Sequence, residues 1–180
     1  MAKATPGLKE LVLIGKIWHE RLNYDRIVID MPATGHGLTM FQSIFNWGKL
    51  FQGSILAKDA QAMIETFKNQ NTTSHLIVSL PEEMPLVESL ELKSSLERIF
   101  PSPHVELFVN RLFPNTPVDP SSSDKPYSET YFEQASKRFI LEKSNLKIWD
   151  GLEFQKLPYL DPNEINLTEA LAALIESEPV

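Results

Sequence analysis

The sequence has no cysteine, so it has no disulfide scaffold and no thiolate metal site. That usage fits a reducing compartment, and the expectation is a cytoplasmic protein. Positive charge is short as well: 17 Lys and Arg stand against 24 Asp and Glu, giving a net charge of −7 and a pI near 5.1. Such a surface repels phosphate backbones, and no Lys/Arg-rich run makes a local exception, so nucleic acid is not an expected partner. Long apolar runs are missing too. Lys9, Glu10 and Lys16 interrupt the N-terminal stretch, which removes a signal-peptide reading, and no run of about 18 uncharged apolar residues exists to span a membrane. There are no internal repeats. His19, His75 and His104 lie far apart without the spacing of a metal cluster.

What is present is ordinary for a folded chain: 42% hydrophobic and 23% charged residues over 180 positions. That length suggests one domain, 1–180, with enough surface to bury a real core. The pattern predicts a helix over 7–22, with Leu8, Leu11, Ile14, Trp18 and Leu22 near one face. A short β-branched run, RIVID at 26–30, reads as a buried strand. The Pro/Gly-rich stretch MPATGHG reads as a loop, followed by helices from Leu38 to about Leu50 and from Ala57 to Lys68. HLIVSLP (75–81) predicts a second strand, 86–100 a helix, and HVELFVN (104–110) a third strand. Residues 114–126 read as an exposed Pro/Ser-rich loop. A helix over 127–143 with Tyr131, Phe132, Ala135, Phe139 and Ile140 inward, a strand over 152–160 and a last helix capped by Asn166 complete the order. Helices alternating with strands predict an α/β fold: a mostly parallel sheet with flanking helices.

One stretch carries more than fold. YDRIVIDMPATGHGL sets Asp30 at the carboxyl end of a predicted strand, the edge where parallel sheets bind ligands. An aspartate there suits Mg2+, which prefers oxygen donors and keeps several waters. Gly35 and Gly37 let backbone amides approach an anion, and His36 lies between them. The simpler alternative is an aspartate that caps the next turn.

Asp30 to Leu38, D-M-P-A-T-G-H-G-L, resembles the switch II signature of ArsA-like ATPases, commonly D-T-A-P-T-G-H-T-L. That family includes arsenical-pump ATPases and the targeting factors for tail-anchored membrane proteins. LPEEMPLVESLEL (80–92) is similar to its proline-containing strand exit and helix. FVNRLFP (108–114) resembles its V-x-N-x-L-x-P segment, and together the likeness covers about residues 6–160. It implies an incomplete P-loop NTPase-like (SIMIBI-type) domain using Mg2+ and ATP. Asp30 would join the magnesium shell, Thr34, Gly35 and His36 would form the nucleotide-responsive switch, and Asn110 would recognise adenine. For Asn110 the alternative is a strand-end amide that satisfies nearby backbone. For Glu82, Glu83 and Glu88 it is a solvated helix start.

The family's phosphate-binding loop, K-G-G-x-G-K-T, and its D-P-A switch I segment do not occur in these 180 residues. Phosphoryl transfer rests on positioning and charge stabilisation. No residue here is therefore expected to be catalytic, and the chain alone is expected not to hydrolyse ATP. It reads as the C-terminal part of such an ATPase: a truncated product, a split-gene half or a fragment. The alternative is a degenerate partner subunit that regulates an intact ArsA-like chain. The resemblance further implies a dimer, with itself or another ArsA-like chain, and a membrane-protein partner reached indirectly. Met40, Phe41, Ile44, Phe45, Trp47, Phe51, Ile55 and Leu56 are candidates for a partner surface or for core.

Overall fold

A computed structural model describes residues 7–32, 34–100, 103–113 and 129–160, with Thr168, Glu169 and Ala172. The loop expected at 114–126, most of the helix expected from Asn166, and the side chains of Tyr131 and Phe132 lie outside the described residues. The elements follow in the order α1 (Leu8–Glu20), α2 (Thr34–Leu50), α3 (Ile55–Lys68), β1 (His75–Ser79), α4 (Glu83–Ile99), β2 (Val105–Leu112), α5 (Glu129–Asn145) and β3 (Gln155–Pro158). The chain divides into two compact units, Met1–His75 with Glu91–Val105, and Leu76–Leu90 with Glu106–Val180.

In the first unit, α1, α2 and α3 pack together. α3 starts where Ser54 caps it, its Oγ accepting from the Ala57 amide at 3.3 Å, which satisfies one of the otherwise unpaired first-turn donors. Its Ala60, Met63 and Phe67 recur at helical spacing and are buried. Ile14, Met40, Phe41, Ile44 and Phe100 join them in the core. Phe41 meets Phe67 and Phe100 edge-on, at centroid distances of 5.5 and 5.1 Å, an arrangement that suits the ring quadrupoles. The Trp18 indole ties α1 to α3 through a 2.9 Å bond to Thr66 Oγ1.

The second unit holds the sheet, parallel and in the order β1-β2-β3. β2 is central, and Leu107, Phe108 and Val109 are buried in succession, so both its faces are covered. β1 buries only Ile77 and Ser79, leaving Leu76 and Val78 exposed. Trp149 is fully buried and donates its indole N–H to the Leu86 carbonyl at 3.0 Å. The α/β class with a parallel sheet is therefore as expected.

Two expectations are corrected. Residues 26–30 form no strand, and Val28 is 86% exposed. A strand exists only against a neighbour's backbone, and no described residue forms a backbone hydrogen bond to residues 24–30. The second concerns MPATGHG: helix α2 already begins at Thr34, so TGHG is its first turn rather than a free loop. Thr39 Oγ1 donates to the Gly35 carbonyl at 2.9 Å and braces that turn.

Candidate functional site

Asp30, Gly35 and His36 belong to the first unit and Asn110 to the second. Asp30 is exposed at the end of the unpaired segment, and its carboxylate has no hydrogen bond or ion pair among the described residues. A single free carboxylate fits Mg2+, which is commonly held by one or two carboxylates plus water and substrate phosphate. Among the described residues no group of three or more His, Asp or Glu side chains is placed to enclose a metal. The donor set thus suits a hydrated ion shared with a phosphate, not an all-protein cage.

The backbone of Thr34 opens α2, and Gly35 and His36 follow it, both exposed. The first turn contains no acidic residue, so its free amides meet no competing carboxylate within the turn and favour an anion. The two glycines differ. A Cβ at Gly35 would meet nothing within 4 Å, whereas one at Gly37 would lie 3.2 Å from the Pro32 carbonyl oxygen. Gly37 therefore lets the helix sit against the chain that leads into it. Gly35 leaves open space beside the first turn.

Asn110 is half-buried near the end of β2. Its Oδ1 accepts the Arg111 amide at 2.8 Å, so it does satisfy local backbone. Its Nδ2 has no partner among the described residues and is free to donate. Arg111 has a φ of 59°, and the β2–β3 register shifts between Val109 and Leu112. Such an irregularity re-aims side chains at a strand end.

Sequence reasoning missed the anchor behind this end. Glu142 on α5 is buried; its Oε2 accepts the Phe113 amide at 2.8 Å and its Oε1 the Arg138 Nε–H at 2.8 Å. The i,i+4 spacing of Arg138 and Glu142 was the available signal. Beside them opens a cleft of about 460 Å³ lined by Pro81, Glu82, Glu83, Arg138, Leu141, Glu142 and Asn145. Glu82, Glu83 and Glu88 are all exposed, as a solvated helix start would be. Of the apolar residues considered for a partner surface, Met40, Phe41 and Ile44 are core, while Ile55 and Leu56 are exposed at 77% and 52%.

The family model for anion-transporting ATPases matches residues 55–174. The chain belongs to that family. The match takes in Asn110 and both outer strands of the sheet, and it begins beyond Asp30–Leu38. An ATPase ASNA1 homolog of Entamoeba dispar is 24% identical over 148 residues, covering 63% of this chain and 45% of that protein. The chain of this anion-transporting ATPase family member thus aligns with less than half the length of that relative. Among the described residues no helix is long and apolar enough to cross a membrane.

Proposed function

We propose that the chain contributes the switch and adenine-contact segments of a Mg–ATP site, whose phosphate cradle comes from polypeptide outside these 180 residues. Family membership over residues 55–174, including Asn110, carries the reading; the D-M-P-A-T-G-H-G-L stretch supports it from the sequence. Asp30 holds the water shell of the ion, the amides at Thr34, Gly35 and His36 face the phosphates, and Asn110 Nδ2 donates to the base. Mg2+ when bound supplies charge neutralisation at the phosphates.

The residues present orient a nucleotide but supply little of its binding energy. A phosphate cradle contributes several charge-assisted hydrogen bonds of about 1.5–3 kcal/mol each. Since about 1.4 kcal/mol is tenfold in affinity, losing a few costs several orders of magnitude. Calorimetric titration of the chain alone should give millimolar or weaker ATP binding and no Mg2+-dependent hydrolysis. Adding a polypeptide that carries the K-G-G-x-G-K-T strand and loop should restore micromolar affinity. Tight binding by the chain alone overturns the reading, and absence of rescue transfers support to a partner subunit that regulates an intact ATPase.

A further inference from the structure

We propose that a cleft between α2 and α4 binds a small organic carboxylate. It holds about 220 Å³ and is lined by Gln42, Phe45, Asn46 and Lys49 of α2 and by Arg98 and Ile99 of α4. All six belong to the first unit. Positions 42, 45, 46 and 49 follow helical spacing, so their side chains project from one face of α2. At about 1.5 Å per residue, Gln42 lies about 10 Å and Lys49 about 21 Å along the helix from Gly35. The cleft is therefore separate from the proposed switch turn, and nothing in the inference rests on the nucleotide reading.

The charges select an anion. The chain carries a net charge of −7, yet both ionisable side chains in this lining are cations and no carboxylate is among them. Lys49 forms no hydrogen bond or ion pair with a described residue. Glu97, the acid next to Arg98 in the chain, is engaged by Lys93. Arg98 is held in place by its own helix: Nε donates to the Ser94 carbonyl at 3.3 Å and Nη2 to Ser95 Oγ at 2.8 Å. Nη1 and one Nη2 hydrogen remain free, the edge with which a guanidinium grips a carboxylate through two parallel bonds. The carboxamides of Gln42 and Asn46 have no partner among the described residues and can donate to the same anion. A concave wall of one sign focuses its field on an incoming ligand of the other.

The floor selects an apolar body. Phe45 and Ile99 are half-buried, and the Phe45 ring leans on the buried Phe100 at a centroid distance of 6.0 Å. A cavity of about 150 Å³ suffices for benzene, so this one takes a single ring or short chain together with its carboxylate. It falls below the range of about 300–1,000 Å³ usual for larger ligands. Acetate or inorganic phosphate would satisfy the cations and leave the floor uncovered.

Benzoate is the probe. Titrated into the full chain and followed by heteronuclear NMR, it should shift the side-chain amide signals of Gln42 and Asn46. Those shifts should saturate at roughly millimolar concentration, the strength a ligand of this size attains. The backbone amides of Gly35 and Asn110 should stay in place. Acetate, without the ring, should bind about tenfold more weakly or worse, and so should benzyl alcohol, without the charge. Lys49→Gln and Arg98→Gln replace exposed side chains and should each weaken benzoate by roughly threefold to tenfold. Shifts that do not saturate, benzyl alcohol or acetate binding as tightly as benzoate, or a double variant that binds benzoate as well as the parent overturns the proposal.

Discussion

Truncating Glu142 to alanine should unlock the end of β2 that carries Asn110. The carboxylate is 6% exposed and fully engaged, with Phe113 N–H on Oε2 and Arg138 Nε–H on Oε1, each at 2.8 Å. The bond to Phe113 is charge-assisted and contributes about 1.5–3 kcal/mol, much of it the penalty of stranding a part-buried amide. Arg138 is half exposed, so its share is that of a solvated pair, about 0.2–1 kcal/mol. Glu142→Ala should thus destabilise by about 2–4 kcal/mol. Glu142→Gln keeps an oxygen for the amide and should lose about 1 kcal/mol. Urea unfolding gives the total, and hydrogen exchange at the Phe113 amide localises it, since exchange there should accelerate more than at Leu107 or Val109. An alanine variant within about 0.5 kcal/mol of the parent, the usual effect of an exposed substitution, would refute the assignment of Glu142 as an anchor.

Two further outcomes concern the first unit. His75 stacks on Phe100 at 5.5 Å and meets Phe41 edge-on at 5.8 Å; burial draws its pKa below 6.5, a backbone bond at Phe67 partly opposes this, and His104 lowers it further. The unfolded chain therefore takes up the proton first, so stability is full above about pH 6.5 and falls as pH drops toward the folded-state value; His75→Phe should flatten that slope in urea midpoints, and an unchanged slope would refute it. Gly35→Ala fills open space and should stabilise α2 by about 0.5–1 kcal/mol, whereas Gly37→Ala presses on the Pro32 carbonyl and should lose that gain; equal effects of the two would show that α2 does not start at Thr34.

The parts legible in the sequence were those whose cause is local. The helical spacing of Ala57, Ala60, Ile64 and Phe67 announced α3, although it begins two residues earlier, at Ile55 behind the Ser54 cap, and the apolar run in HVELFVN announced a strand. RIVID was misread because a β-branched run reports a capacity to pair, not the presence of a partner. TGHG was misread because glycine usually marks a loop; here Thr39 closes the turn through the Gly35 carbonyl, and Gly37, having no Cβ, packs close to the Pro32 carbonyl without crowding it. At the site, the asparagine was legible as a strand-end residue. The left-handed Arg111 beside it was not, since that conformation is rare without glycine. Nor was the bond from Glu142 to Phe113, which spans 29 residues and depends on how α5 lies over the sheet's unit.

The exposure of most of residues 24–30 bears on the proposed nucleotide site. A carboxylate contributes to ion binding only in proportion to the fraction of molecules that hold it in the competent arrangement, and the apparent dissociation constant rises by the inverse of that fraction. Asp30 ends a segment with no backbone hydrogen bonds to described residues, so its placement is not fixed by a strand ladder. A second strand along 26–30 would fix it, and an ion–nucleotide complex that selects the same arrangement would favour the second strand by the same factor. The weak binding expected of the isolated chain on the proposed reading then has two separable sources. The missing phosphate cradle lowers affinity equally at every protein concentration. An unheld Asp30 lowers it until a neighbouring strand fixes the segment. ATP affinity that improves when a peptide carrying only the neighbouring strand, without its phosphate loop, is added identifies the second source, and affinity unchanged by that peptide leaves the cradle as the whole of the deficit.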